Sequence, residues 1–229
     1  MQIKPSRIPL WVALFTVTQN SSALSLSTYI FEMMSDQNHI ARPIANDTQT
    51  LNLYQISGFK IDRPGNDGEN KILEKNREII YSPLQLKVEP RQQEYFKVFY
   101  IGPKDDQERY YRMSFVETPL AAYNNPDQAH SSTFLPSIAL STILIVRPRI
   151  QKLKYEIDEN LGVLSNTGNT YFRVIIKKGC DGSDEDAKQF YMLPGEQYKN
   201  INLQENNQKF IIANKKYIPI GTMCHQVKK

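Results

Sequence analysis

The sequence has two cysteines, three histidines, one tryptophan and few glycines, and it contains no apolar run long enough to cross a bilayer as a helix. Each shortage excludes something. Cys180 and Cys224 both fall late in the chain, with no CxxC spacing and no histidine ladder beside them, so no zinc site is read here. His39, His130 and His225 stand apart in sequence. No HExxH, no GxSxG elbow and no GxxxxGK[ST] phosphate loop occurs, which leaves no reading as an enzyme and calls for no cofactor or metal. The formal charge of +4 is small and spread along the chain. Without a basic patch interleaved with aromatics, nucleic acid is not an expected partner. The acidic run Asp181-Gly182-Ser183-Asp184-Glu185-Asp186 lacks the closing glutamate of a calcium loop and reads as a solvated turn. No segment holds a helical period with caps at both ends.

What is present begins with an export signal. Lys4 and Arg7 precede the apolar run Ile8 to Val17, and a polar stretch follows, ending in Ser21-Ser22-Ala23. Small residues at the last and third-last positions fit signal peptidase, so residues 1–23 are expected to be a signal peptide. A core segment that happens to begin the chain is the other reading, opposed by Pro5 and Pro9. The rest, about 200 residues, suits one large domain or two of about 100 each, with no stable membrane insertion.

Beyond that point the pattern is strand after strand. Thr50–Ile61, Ile79–Val88, Glu94–Ile101, Tyr110–Glu117, Ile138–Arg147, Tyr171–Lys177 and Lys209–Ala213 are rich in Ile, Val, Tyr, Phe and Thr. Clusters of Pro, Gly, Asn and Asp separate them, which predicts an all-β chain of sandwiches. Two local patterns recur: Asn46-Asp47-Thr48 with Asn166-Thr167-Gly168-Asn169-Thr170, and Val88-Glu89-Pro90 with Met192-Leu193-Pro194-Gly195. Two sandwiches of similar plan would produce such echoes. The boundary is expected at Arg147-Pro148-Arg149, where proline interrupts pairing. That gives an N-terminal domain over 24–147 and a C-terminal domain over 148–229. Arg63–Gly68 and Ala121–Ser132 read as loops, the second expected to be mobile. Asn46-Asp47-Thr48 is also a glycosylation sequon, a tripeptide that arises often by chance.

Ser137–Val146 is the segment that most needs explaining. Ile138 and Leu140 alternate with Ala139 and Ser141, and Ile143-Leu144-Ile145-Val146 is apolar throughout. Two readings stand: a central strand, or an edge strand retained because it pairs with a partner. In an oxidising compartment Cys180 and Cys224 are expected to form a disulfide, with two buried free thiols as the other reading.

Several stretches resemble one family in order along the chain. They are Glu94–Pro103, Glu108-Arg109-Tyr110-Tyr111-Arg112, Thr142–Arg149, Leu164–Thr170 and Tyr191–Gly195. Together they resemble the periplasmic pilus-assembly chaperones of the chaperone–usher pathway, nearest the alternate chaperones of common pili. They cover most of the chain from about Gln85 onward; the part before it matches loosely. The resemblance implies two immunoglobulin-like sandwiches in an L-shaped, boomerang arrangement. It implies partners too: pilus subunits (pilins and a tip adhesin) that lack a last strand, and an outer-membrane usher that receives them from the periplasm.

Carried over by position, Ser137–Val146 resembles the strand donated to the subunit, with Phe134, Ile138, Leu140, Thr142 and Leu144 facing its groove. Glu117 and Arg147 match an interdomain ion pair, whose usual third, acidic partner has no counterpart near Asn214-Lys215-Lys216. Typical members hold the subunit's C-terminal carboxylate with an arginine on the first strand and a lysine on the donated strand. Here the latter position is Ile143, and Leu26–Phe31 has no basic residue, so Arg112 and Arg42 are the candidate anchors. The alternative function is a secreted immunoglobulin-like pilus subunit or adhesin. Against it, the unusual strand lies mid-chain, before a second complete-looking domain.

Overall fold

A computed structural model of the chain describes residues 26, 28–65, 69–120 and 137–222. The expected signal peptide, Phe134, Cys224 and the whole of the long loop over 121–132 lie outside the described residues. Among the described residues the chain forms fifteen strands and one short 3-10 turn, the all-β fold expected.

The first eight strands are β1 (Ile30–Met33), β2 (His39–Ala45), β3 (Asn52–Ile61), β4 (Ile79–Ser82), β5 (Gln85–Val88), β6 (Gln93–Tyr100), β7 (Arg109–Pro119) and β8 (Ile138–Val146). They form two sheets, ordered β1-β8-β7-β3-β5 and β2-β6-β4. The remaining strands are β9 (Tyr155–Asp158), β10 (Val163–Asn166), β11 (Phe172–Ile176), β12 (Lys188–Met192), β13 (Gln197–Lys199), β14 (Lys209–Ala213) and β15 (Lys216–Pro219). These make a second pair of sheets, β13-β10-β9 and β12-β11-β14-β15.

The period-two pleat sorts each strand into a core face and an outer face. On β7, Tyr111, Met113 and Phe115 are fully buried, and on β6 so are Phe96 and Val98. Across the first sandwich Phe96 packs at 5.9 Å from Phe31 and 4.9 Å from Phe115, edge-on and tilted as aromatic quadrupoles prefer. The second sandwich closes on Leu164, Phe172, Val174, Met192, Leu203 and Ile211. A smaller cluster of Ile61, Tyr110, Ile145, Tyr171 and Leu193 joins the two halves.

The expected strand Ile79–Val88 is in fact two strands in different sheets. β4 pairs with β6, whereas β5 pairs with β3. Pro83 lies between them; it has no N–H to donate to a ladder, so the chain crosses from one sheet to the other there.

The two sequence echoes are two ends of one contact, made once in each sandwich. Asn46 Nδ2 donates to Val88 O at 2.9 Å and Thr50 O at 2.7 Å, while its Oδ1 accepts from Thr48 N at 3.0 Å. Asn166 Nδ2 donates to Met192 O at 3.1 Å and Thr170 O at 3.0 Å, and its Oδ1 accepts from Gly168 N at 3.1 Å. The backbone repeats too: Arg91 N reaches Asn46 O at 3.0 Å, and Gly195 N reaches Asn166 O at 2.9 Å. Each asparagine thus ties the turn after a strand to the proline turn that faces it, and satisfies buried carbonyls in doing so. Asn46 is wholly buried, which rules it out as a glycan acceptor.

Candidate functional site: an open strand edge beside an interdomain cleft

β8 runs between β7 and β1, but its two sides are not equally covered. β7 pairs antiparallel along the full strand, from Glu117↔Ile138 to Arg109↔Val146. β1 pairs parallel with residues 143–146 only, from Ile30↔Ile143 to Met33↔Val146. Among the described residues, nothing pairs with the other side of 138–142. The strand is therefore both things the sequence allowed: internal over its apolar second half, and an edge over its alternating first half.

The pleat puts Ile138, Leu140, Thr142 and Leu144 on the face shared with the sandwich core. Leu144 and Thr142 are sealed inside that core, which corrects the expectation that all four stand open to a partner. β1 covers the strand at the level of Leu144, and Thr142 Oγ1 is buried without a hydrogen-bond partner among the described residues. Leu140 packs partly against the core edge, and Ile138 is 40% exposed. The opposite face is polar, with Ser141 beside Ser114 and Ser137 beside Thr118.

Glu117 and Arg147 form no ion pair. They lie at opposite ends of the β7–β8 ladder, Glu117 opposite Ile138 and Arg147 just past Val146. Arg147 instead meets Glu108 at 2.8 Å, Glu32 at 3.3 Å and Thr170 Oγ1 at 2.5 Å, with its guanidinium 4.0 Å from the Tyr171 ring centroid. Burial works against its charge, but Glu108 and Glu32 outweigh that and raise its pKa further. Glu108 also accepts from Tyr110 OH at 2.6 Å, Thr170 Oγ1 at 2.9 Å and Tyr171 N at 3.0 Å. The interdomain connection is thus built on Glu108, which precedes β7. Nearby, Asn169 Nδ2 donates to Asp106 O at 2.8 Å and Lys152 pairs with Asp106 at 3.0 Å.

Glu117 sits at the far end of the first sandwich, nearly fully buried. Burial pushes its pKa above the usual carboxylate range; a hydrogen bond from Tyr54 pulls it back, and the charge of Asp47 raises it again. Its Oε2 has no hydrogen-bond partner among the described residues.

The two candidate anchors differ. Arg112 is closed off by a two-pronged bond to Glu69, through Nε at 2.9 Å and through Nη2. Such a fork uses the guanidinium face that an incoming carboxylate needs, so Arg112 is not open to a ligand. Arg42 lies 5.7 Å from the Phe31 ring centroid and donates to Ala41 O at 3.1 Å. It has no carboxylate partner among the described residues, and it lines the interdomain cleft with Glu32, Arg147, Arg173 and Lys215. Arg173 and Lys215 come from the second sandwich and were not singled out in the sequence. Lys215 stands in the Asn214-Lys215-Lys216 stretch, where the family pattern has an acid.

Cys180 is disulfide-bonded, so the reading of two free thiols fails; Cys224 lies outside the described residues. No group of His, Cys, Asp or Glu that could hold a metal ion occurs among the described residues. No helix among them is long and apolar enough to cross a membrane.

No protein-family model matches the chain. It is 34% identical over 206 residues to the probable fimbrial chaperone EcpE of Escherichia coli, covering 89% of this chain and 86% of that relative. It is 27% identical over 224 residues to the probable fimbrial chaperone EcpB of the same species, covering 95% of this chain and all of the relative. Its fold is that of the solved Class 5 fimbriae chaperone CfaA, with a TM-score of 0.57 at 14% identity over 86% of this chain and 98% of that one. The fold is two immunoglobulin-like sandwiches, and on this identity and coverage the chain belongs to the family of fimbrial chaperones.

Proposed function

We propose that this chain binds and folds pilus subunits in the periplasm by lending them β8, then passes them to an outer-membrane usher, without catalysing a reaction. One observation carries the reading: β8 is paired on both sides over 143–146 and on one side over 138–142. An open edge of alternating apolar residues is an aggregation hazard unless a partner's strand completes it. A subunit strand added there extends the β1-β8-β7-β3-β5 sheet. Ile138 and Leu140, on the core side of the pleat, then enter the subunit's own core. Phe134, outside the described residues, has the same parity in the sequence. The domain boundary falls at Arg147–Arg149.

The subunit's terminal carboxylate is held in the cleft by Arg42, assisted by Arg173 and Lys215. Arg42, Arg173 and Lys215 line that part of the cleft beside the Arg147–Glu32 pair, and an anion there gains charge-assisted hydrogen bonds. Export through a signal peptide over 1–23 and a Cys180–Cys224 disulfide fit the same compartment.

The test is co-purification from a bacterial periplasm with a pilin encoded beside this chain. A one-to-one complex is expected with the wild-type chain and none with Leu140→Asp, whose fold is checked by circular dichroism. Undiminished capture by a folded Leu140→Asp chain would overturn the assignment of β8.

A further inference from the structure

Beside its basic part, the interdomain cleft has a second compartment of about 560 Å³. Ile30, Ile143, Ile145, Tyr171, Tyr191 and Leu193 form its apolar lining, Arg63 and Glu196 line it as a charged pair, and it shares Ile30, Tyr171 and Tyr191 with the basic part. Ile30 and Ile143 lie directly opposite each other on β1 and β8. The pleat that sends Leu144 into the core turns these two outward as a floor. Tyr171 and Tyr191 meet edge to face at 5.7 Å and form one wall. The Tyr171 hydroxyl is fixed by Glu32, whereas Tyr191 remains 48% exposed.

This floor cannot seat an anion. An ionised carboxylate laid on two isoleucines loses hydration that their side chains cannot replace, and Arg63, the cation that lines this compartment, already faces Glu196 at 4.0 Å. Arg42, Arg173 and Lys215 line the adjoining basic part, which shares the two tyrosines. A ligand that satisfies both compartments carries its negative charge and a bulky apolar group on neighbouring atoms. The C-terminal residue of a polypeptide does so, because carboxylate and side chain share one Cα. An internal aspartate or glutamate does not, since its charge ends the side chain and the floor stays uncovered.

We propose that the Ile30–Ile143 floor is a side-chain subsite that selects pilus subunits ending in a large apolar residue. This deepens the chaperone reading and rests on it. The terminal carboxylate meets Arg42 and Arg173, and the terminal side chain lies on Ile30 and Ile143 against Tyr191. Full burial of a leucine-sized group is worth 1.5–3 kcal/mol as a general figure, about tenfold or more in affinity.

The experiment co-expresses the wild-type chain with versions of one pilin whose last residue is Leu, Phe, Ser or Asp, in pairwise competition. Pilins ending in Leu or Phe should be captured about tenfold or more over those ending in Ser or Asp. An Ile143→Ser chain should lose that preference. Equal capture of all four pilins by the wild-type chain overturns the subsite while leaving the chaperone reading intact. Capture of none overturns the chaperone reading, and the subsite with it. If Ile143→Ser fails to fold, the pilin series against the wild-type chain decides alone.

Discussion

Arg147 and Glu108 meet at 2.8 Å with side chains only 4% and 1% exposed, and from that pair the bonds to Thr170 and Tyr171 lead into the second sandwich. Removing one partner of a buried pair strands the other charge, which costs about 3–5 kcal/mol. Glu108→Ala should destabilise the chain by that amount in urea unfolding and loosen the two sandwiches relative to each other in small-angle scattering. A loss under about 1 kcal/mol, the size of an exposed pair, would show that the connection is held elsewhere.

Arg91 and Gly195 occupy the same place in the two copies of the asparagine turn, with φ of 60° and 82°. A side chain in this left-handed region costs about 1–2 kcal/mol, from which glycine is exempt. Arg91→Gly should therefore stabilise the first sandwich by about 1 kcal/mol, read as a higher Tm. Gly195→Ala should lower stability by a similar amount, although its added Cβ would touch nothing. A fall in Tm for Arg91→Gly would mean that the arginine side chain supplies more than its backbone costs.

The sequence made these turns visible as repeated words but not as a contact, because Asn46 and Val88 lie 42 residues apart. Alternation on β6, β7 and the first half of β8 was legible, since one face of each is buried and the pleat writes that directly. The split at Pro83 was less so: both halves have a strand's composition, and only the pairing tells which sheet each joins. The ion pair was misplaced for a related reason. Glu117 and Arg147 match a family pattern by position, but the antiparallel ladder carries them to opposite ends, and Glu108 is the acid that the register brings close. Arg173 and Lys215 could not be read as cleft residues, because that role depends on how the two sandwiches meet.

β8 should divide sharply under alanine substitution. Leu144 is fully buried in the core, and Leu144→Ala should cost about 2–5 kcal/mol in denaturant unfolding. Ile138, on the same face but 40% exposed, should lose under about 1 kcal/mol while weakening pilin capture. Equal stability losses at both positions would contradict the half-open strand.

The disulfide should hold the C-terminal sandwich. Cys180 and Cys224 would close a loop of some 45 residues, for which chain entropy gives about 4 kcal/mol. Reduction should lower the Tm of that sandwich and leave the first unchanged. Mass spectrometry of unreduced periplasmic protein should find the Cys180–Cys224 peptide pair, and two alkylatable thiols would refute it.

Glu117 gives the chain a pH dependence of definite sign. Burial raises its pKa, the Tyr54 hydrogen bond lowers it, and Asp47 raises it again, with a net upward shift. The folded chain therefore keeps this proton at pH values where the unfolded chain has released it. Between the unfolded carboxylate value, about 4.3, and the raised native value, the native state binds more protons, and stability falls as pH rises. Below that window both states are protonated and Glu117 contributes no slope. The Tyr54 hydroxyl, its hydrogen-bond donor, does not titrate in this range, since burial pushes it above 10. Glu117→Gln should then stabilise the protein at pH 7–8, with the gain shrinking as pH falls through the window and gone below about pH 4. Melting curves of the two proteins across pH 3.5–8 measure it directly. A constant difference over that range would mean that Glu117 ionises alike in the folded and unfolded chain, and that its buried Oε2 reaches water after all.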